Sequence, residues 1–149
     1  MARIRLVPPV YLLLSVLAMA GLHRLLPVTI VLRPPLSYVG AALIGLGLAV
    51  AAAAALRFGH YGTSVHPFHQ PTTLVTDGPY RFTRNPMYLG MVLALLGIAM
   101  WLGSLTPFVV IPVFASLIQR GFIRNEERRL TDAFGPPYAE YRRRVRRWL

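Results

Sequence analysis

Long uncharged apolar runs, separated by shorter polar stretches, set the pattern of this chain. Residues 36–56 give 21 uncharged positions in a row, enough for about 30 Å of helix at ~1.5 Å per residue. Residues 10–22 are also uncharged, and this run reaches a spanning length when its apolar flanks are added and Arg24 snorkels. Residues 85–119 hold 35 uncharged positions, about right for two crossings. The pattern therefore predicts an all-α integral membrane protein with about four transmembrane helices.

The last two helices are expected to form a C-terminal helical hairpin, because Gly103, Ser104 and Pro107 supply a turn within the longest run. The first helix of this hairpin should begin at Pro86. Asn85 before it is typical of an N-cap, and proline lacks an N–H at a position that needs none.

Small residues recur on one face of that first hairpin helix. Gly90, Ala94 and Gly97 share the face, and further glycines and alanines occur along residues 36–56. Such residues let helices approach closely in a membrane. The face suits packing against a neighbouring helix or a ligand.

The longest polar connection, residues 57–84, is too long to be a mere connector. Residues 74–76 and 80–82 could pair as a β-hairpin around the Asp-Gly turn at 77–78. His66 and His69 also lie here, but their three-residue spacing without a second ligand pair does not predict a metal site.

The composition supports a place in the bilayer. The mean hydropathy is +0.52 and 55% of the residues are hydrophobic, which is high for a soluble domain. All sixteen basic residues are arginine and five residues are acidic, so the net charge is +11. This charge would suit nucleic acid, anionic lipid or membrane orientation, and the apolar spans favour lipid. The absence of cysteine excludes disulfides, thiolate metal ligands and a cysteine nucleophile.

Arginines also predict the orientation. They precede the first span, follow the second, and number nine between residues 120 and 147, whereas the connection between the first two spans has only Arg24 and Arg33. The positive-inside rule then puts both termini and the long loop in the cytoplasm, in a multi-pass protein of the cell membrane. We expect one domain over residues 1–149, with two N-terminal spans in 1–56 and a catalytic part in 57–149.

The second hairpin helix should leave the bilayer unbroken and end at Phe134, before Gly135. On a helical wheel, Glu126 lies near the centre of the apolar arc and Glu127 at its edge. A carboxylate in apolar surroundings needs a partner, which predicts either a donor-rich ligand or an internal arginine such as Arg84 or Arg129.

The tail, residues 138–149, is expected to form an amphipathic helix. Tyr141, Val145 and Trp148 fall along one helical face, and arginines occupy most of the rest. Such a helix should lie flat on a membrane surface that contains anionic lipids. We do not expect it to bind nucleic acid, because aromatic residues and membrane spans accompany the arginines.

The start of the Pro86 helix is a candidate anion site. Backbone N–H groups at a helix N-terminus and the nearby Arg84 together suit a carboxylate or a phosphate. A capped helix beside a snorkelling arginine would explain the same residues without a ligand.

Several of these motifs occur together in one known superfamily. Gly-Pro-Tyr-Arg at 78–81, Arg-Asn-Pro-Met-Tyr-Leu-Gly at 84–90 and Glu-Glu at 126–127, followed by aromatic residues up to Tyr141, resemble the isoprenylcysteine carboxyl methyltransferase and phospholipid methyltransferase superfamily. The resemblance covers roughly residues 78–147. It implies an integral membrane enzyme that uses S-adenosylmethionine to methylate a lipophilic substrate, which enters from the bilayer.

The resemblance also implies which residues form the site. Arg84, Glu126 and Glu127 are the expected catalytic residues. The expected cofactor-binding residues are Tyr80, Arg84, Asn85, Pro86, Tyr88, Gly90, Glu126, Glu127, Tyr138 and Tyr141. Many members have histidine where this chain has Asn85, which can donate a hydrogen bond but cannot act as a base near neutral pH.

Two other functions fit part of the pattern. Membrane sterol reductases, which use a nicotinamide cofactor, resemble the same C-terminal motifs. A non-catalytic membrane adaptor would use the basic tail to bind lipid or a partner, although an inward-facing Glu126 argues against it. Binding of S-adenosylmethionine or of NADPH would distinguish the three.

Overall fold

The computed structural model describes residues 7–62 and 72–149, and these residues are mainly helical. The α-helices are α1 (Pro8–Leu25), α2 (Val39–His60), α3 (Pro86–Leu102), α4 (Val110–Ile118), α5 (Arg124–Phe134) and α6 (Pro136–Arg144). Short 3-10 turns occupy Leu36–Tyr38, Gly78–Arg81 and Thr106–Val109, and a π-helical turn, Gln119–Ile123, joins α4 to α5. The predicted all-α membrane fold is confirmed.

Within residues 7–62 and 72–149, three helical stretches are long and apolar enough to cross a membrane: Pro8–Leu25, Leu36–His60 and Thr106–Phe134. The fourth apolar helix, Pro86–Leu102, is shorter at 17 residues. It begins at Pro86 as predicted, and Gly103 ends it with a positive φ of 76°. The predicted hairpin of α3 and α4 is confirmed.

Helices α2 and α3 pack closely against each other through glycines. Cβ atoms built on Gly47 and Gly90 would lie 2.4–2.5 Å from the backbone oxygen of the facing glycine, and Gly40 and Gly97 repeat this relation two turns away. Backbone contacts this short leave room only for glycine. The face predicted to pack closely therefore packs against α2.

The helix from Val110 runs without a break through the π-helical turn to Phe134, where Gly135 ends it with a φ of 55°. The π-helical turn inserts an extra residue into the helix. Every later side chain is therefore rotated about the helix axis relative to its position on a regular helical wheel. Glu127 is consequently the more buried glutamate, 8% exposed, and Glu126 is only partly buried. The inward direction that the wheel predicts for Glu126 agrees with its contact to Tyr88, but Glu127 is more buried than its place at the edge of the arc predicts.

The predicted β-hairpin around Asp77 and Gly78 does not form. Residues 74–76 have no regular structure, and Gly78–Arg81 is a 3-10 turn. Val75 and Tyr80 pack side by side against Ala54 of α2, so burial against the helix takes the place of strand pairing. Arg57 Nη1 donates to Asp77 Oδ2 at 3.0 Å and fixes the turn to α2. His66 and His69 lie outside the described residues.

The tail also departs from its prediction. Helix α6 ends at Arg144, and Val145 is extended, with φ −119° and ψ 130°. The residues after it turn back onto the protein, where the Arg146 carbonyl accepts from the Arg84 N–H at 2.9 Å. Trp148 packs against the core and donates from Nε1 to Gln119 Oε1 at 3.1 Å. These contacts with the rest of the protein outweigh the amphipathic pattern. The prediction of a single helix that continues through Trp148 is therefore wrong.

Candidate functional site

A cavity of about 380 Å³ lies between the start of α3, helix α5 and the tail. Its volume is within the ~300–1,000 Å³ common for small-molecule sites. Its lining mixes polar and apolar residues, and we call these two sets of residues the polar wall and the apolar wall. The main apolar residues are Phe58, Leu74, Val75, Met87, Met91 and Leu130, and the polar ones are Tyr80, Arg84, Asn85, Tyr88, Glu126, Glu127, Arg129, Tyr138 and Tyr141.

Eight of the ten residues expected to bind the cofactor line this cavity: Tyr80, Arg84, Asn85, Tyr88, Glu126, Glu127, Tyr138 and Tyr141. The other two lie elsewhere. Pro86 is buried at the first position of α3, and the Cα of Gly90 faces Gly47 and Ala51 of α2. Chain segments 38 residues apart at their nearest, at Tyr88 and Glu126, thus contribute to one site.

Glu126 and Tyr88 both line the cavity and are joined by a hydrogen bond. The Tyr88 hydroxyl donates to Glu126 Oε1 at 2.6 Å, which links the first turn of α3 to α5. This contact exists because α3 begins at Pro86, so that the third helical residue points toward α5. A carboxylate at this position suits a donor-rich ligand group, as its wheel position near the apolar arc had suggested.

Glu127 is held by two arginines. Arg147 donates to both of its oxygens, from Nε to Oε1 at 3.0 Å and from Nη2 to Oε2 at 2.6 Å. Arg84 Nη1 lies 2.9 Å from Oε1 as an ion pair. The side chains of Arg84 and Glu127 are only 10% and 11% exposed. One carboxylate is therefore shared by two guanidinium groups, which leaves one net positive charge in a largely buried place.

The start of α3 is built differently from the predicted anion site. The side chain of Asn85 makes no cap hydrogen bond and instead donates from Nδ2 to the Arg147 carbonyl at 2.9 Å. The Asn85 N–H donates to Thr83 Oγ1 at 3.2 Å, and the Arg84 N–H donates to the Arg146 carbonyl. These two amides precede the helix and have protein acceptors, and the Arg84 side chain brings a positive charge to the start of α3.

Three tyrosines form the rest of the polar wall. The Tyr141 hydroxyl donates to the Tyr80 carbonyl at 2.7 Å, and the Tyr80 ring packs edge-on against Phe58. Burial raises the pKa of the Tyr80, Tyr138 and Tyr141 hydroxyls, and for Tyr138 the neighbouring Arg84 guanidinium acts in the opposite direction. With a raised pKa, all three remain protonated near neutral pH and serve as hydrogen-bonding groups.

Arg147 is the site residue that the sequence did not reveal. The amphipathic pattern of the tail places it among the arginines that face the membrane surface, yet its hydrogen bond to Glu127 raises the pKa of its guanidinium and keeps it charged. The available signal was weak: the β-branched Val145 and an apolar Trp148 on either side of it favour an extended strand over a helix.

Comparison with protein-family models finds a match to the phospholipid methyltransferase family over residues 36–136. This stretch contains α2, α3, α4 and α5 together with most of the cavity wall. Arg147 lies beyond it.

Among curated proteins, the chain is 39% identical over 75 residues to protein-S-isoprenylcysteine O-methyltransferase of Schizosaccharomyces pombe, covering 48% of this chain and 30% of that protein. It is 42% identical over 73 residues to the cobalt-zinc-cadmium resistance protein CzcN of Cupriavidus metallidurans, covering 49% and 33%. An uncharacterized Haemophilus influenzae protein is 38% identical over 63 residues, which is 42% of this chain and 100% of that protein. The chain thus matches only about a third of the two named relatives. No solved structure matches it.

Proposed function

Because this chain belongs to the phospholipid methyltransferase family, we propose that it transfers a methyl group from S-adenosylmethionine to a lipophilic acceptor in the membrane. The observation that supports the proposal is a cavity whose lining combines charged and apolar side chains, at the point where α3 and α5 meet. A cofactor with a zwitterionic end and an acceptor with an apolar body need both kinds of side chain in one cavity.

The residues fit the cofactor by their chemistry. Its amino-acid end carries a carboxylate and an ammonium group, and the polar wall offers the Arg84 guanidinium and the Glu126 carboxylate. Arg84 Nε is buried and has no hydrogen-bond acceptor among the described residues, so a ligand carboxylate would satisfy a donor that is otherwise unused. The tyrosine hydroxyls of Tyr80, Tyr138 and Tyr141 add neutral hydrogen-bonding groups.

When bound, S-adenosylmethionine supplies a methyl group on a positively charged sulfur, open to displacement by an oxygen, nitrogen or sulfur nucleophile with a neutral thioether leaving. The protein's part is then chiefly positioning. Arg84 and Glu126 would fix the polar end of the cofactor, and Met87, Met91 and Leu130 would exclude water from the acceptor side. Asn85 cannot serve as a base near neutral pH.

The site's place in the cell is part of the proposal. We propose that both termini and the cavity face the cytoplasm of a cell membrane, as the arginine distribution predicts, so that a soluble cofactor reaches the polar wall while the acceptor arrives from the bilayer. Reporter fusions after Leu149 and near Val31 test this. An external C-terminus would contradict it.

The relatives named for metal resistance do not lead us to propose a metal site. Across residues 7–62 and 72–149, no three His, Cys, Asp or Glu side chains group closely enough to hold a metal ion. The proposal therefore follows the methyltransferase relative and the family match.

Equilibrium binding to the purified protein in detergent tests the proposal against its alternatives. We expect saturable binding of S-adenosylmethionine and of its demethylated product, and none of NADPH. Saturable NADPH binding would favour a sterol-type reductase instead, and binding of neither cofactor would favour a non-catalytic adaptor. A second assay follows tritium from methyl-labelled cofactor into membrane lipids and prenylated peptides, which identifies the acceptor class.

A further inference from the structure

We infer that Arg147 is a positioning residue: it engages Glu127 so that Arg84 remains available for a carboxylate on the ligand. This inference rests on the proposed function and extends it to a residue outside the stretch that the family model matches. It concerns how three charged side chains share their hydrogen bonds.

Arg147 makes more hydrogen bonds to Glu127 than Arg84 does. Its two nitrogens reach both carboxylate oxygens, at 3.0 and 2.6 Å, in the parallel arrangement that is strongest between arginine and a carboxylate. The side chain of Arg147 is 33% exposed, against 11% for Glu127. The pair therefore lies at the outer edge of the site, where Arg147 borders a separate polar cleft rather than the cavity.

Arg84 is left with unused donors. Its Nη1 lies 2.9 Å from Glu127 Oε1, but the angle is outside hydrogen-bond geometry, and its Nε has no acceptor among the described residues. The side chain is 10% exposed, so water reaches it poorly. A buried guanidinium with free donors is costly unless another group accepts from it. Since Arg84 lines the cavity, the acceptor should come from the cavity.

The net charge of these side chains also supports an anionic ligand group at Arg84. Arg84, Arg147 and Glu127 together carry one net positive charge, and Glu126 and Arg129 on the same wall offset each other. The excess charge falls on Arg84, because Arg147 is the arginine that pairs fully with Glu127. An anionic group in the cavity is then matched to Arg84, with Glu126 beside it for a cationic group.

The backbone couples the two arginines. The Arg147 carbonyl accepts from Thr83 Oγ1 at 3.1 Å and from Asn85 Nδ2 at 2.9 Å, on either side of Arg84 in the chain. The Arg84 N–H donates to the Arg146 carbonyl at 2.9 Å. Without the Arg147 guanidinium, both oxygens of Glu127 become open to Arg84, which would turn toward Glu127 and away from a ligand.

The test compares two ligands that differ in one group: S-adenosylmethionine and decarboxylated S-adenosylmethionine, which lacks the carboxylate. We expect Arg147→Gln to weaken binding of the first by about tenfold or more, the effect of losing one charge-assisted hydrogen bond, and to change binding of the second by less than about twofold. Arg146→Gln is the matched control, because Arg146 is exposed and contributes its carbonyl. It should leave both affinities unchanged.

If Arg147 had only a structural role, Arg147→Gln would weaken the binding of both ligands by the same factor. That result, or no change in either affinity, would overturn the inference. Where Arg147→Gln does not fold, Arg147→Lys carries the test, because lysine cannot donate to both oxygens in parallel. For Arg147→Lys, the affinity for S-adenosylmethionine should also fall relative to the affinity for the decarboxylated ligand. An unchanged ratio of the two affinities would overturn the inference. If the parent protein binds neither ligand, the proposed function fails and this inference fails with it.

Discussion

The contact between α2 and α3 and the contact between α5 and the C-terminal segment are held together by opposite means. Between α2 and α3, glycines bring backbone against backbone, and no charged side chain takes part. Between α5 and the tail, the contact depends on Glu127, two arginines and a few hydrogen bonds from residues about 60 positions earlier in the chain. We therefore expect the first contact to be sensitive to added volume and the second to lost charge.

The difference separates stability from binding. An uncharged interface with small residues can be rigid without offering anything to a ligand. An interface of shared charges holds polar groups in a low-dielectric place, where a ligand can complete the pairing. The candidate site accordingly lies at the charged interface, and the glycine interface sets the position of α3 beneath it.

The largest effect is expected from Glu127→Gln. This change leaves Arg84 and Arg147 close together without their shared carboxylate, and breaking a buried ion pair costs about 3–5 kcal/mol. We expect the lower end of that range for the free energy of unfolding, since Arg147 is 33% exposed. Glu140→Gln is the control, because the side chains of Glu140 and its partner Arg144 are 51% and 74% exposed. Equal unfolding curves for the two variants would contradict the difference in burial.

Glu126→Gln should act on the ligand more than on the fold. The amide keeps the shape but loses the charge, so we expect affinity for S-adenosylmethionine to fall by ~1.5–3 kcal/mol, or roughly ten- to over a hundredfold. Tyr88→Phe removes only the hydroxyl that donates to Glu126 and should cost less. Titration of both folded variants with the cofactor measures this. If Glu126→Gln binds like the parent, Glu126 is structural or acts on the acceptor alone.

Gly47→Ala tests the glycine interface. Its new methyl group would lie 2.5 Å from the Ala94 nitrogen and the Gly90 oxygen, so α2 and α3 must separate, at about 1–3 kcal/mol of stability. Gly45→Ala, two residues earlier on the same helix, meets nothing within 4 Å and should be neutral or slightly stabilising. Thermal unfolding in detergent compares them. A Gly47→Ala variant as stable as Gly45→Ala would show that the helices are less closely packed.

The smallest effect on the site is expected from replacing Arg142, Arg143 and Arg144 together by Gln. All three side chains are exposed, and they lie in α6, before the chain turns back. We expect weaker association with anionic lipid, measured with nanodiscs of different charge, and cofactor affinity within about twofold of the parent. A loss of cofactor binding equal to the loss of lipid association would place these arginines in the site.

Most of the fold was predictable because it follows from apolar length and turn residues. Pro86, Gly103 and Gly135 fixed the ends of helices as expected from their backbone preferences. The glycine face of α3 was also predictable, although whether Gly90 met a helix or a ligand was not. Helix ends and the glycine face depend on residues that lie within a few positions of each other, so local sequence patterns reveal them.

The charged interface was only half predictable, for a physical reason. Arg84, Glu126 and Glu127 stood out through their motifs, but their pairing depends on the π-helical turn at Gln119–Ile123 and on the reversal at Val145. Both are decided by long-range packing, which a wheel or a local propensity does not contain. The Arg147 contact with Glu127 was missed for the same reason.

The most direct test of the proposed cofactor site is a crystal structure of this protein grown in a lipid mesophase with S-adenosylhomocysteine, the demethylated product. We expect the ligand in the cavity between α3 and α5, with its carboxylate within hydrogen-bond distance of Arg84 Nε and its ammonium near Glu126. A ligand bound elsewhere, or a cavity without ligand at a concentration that saturates binding in solution, would contradict this expectation.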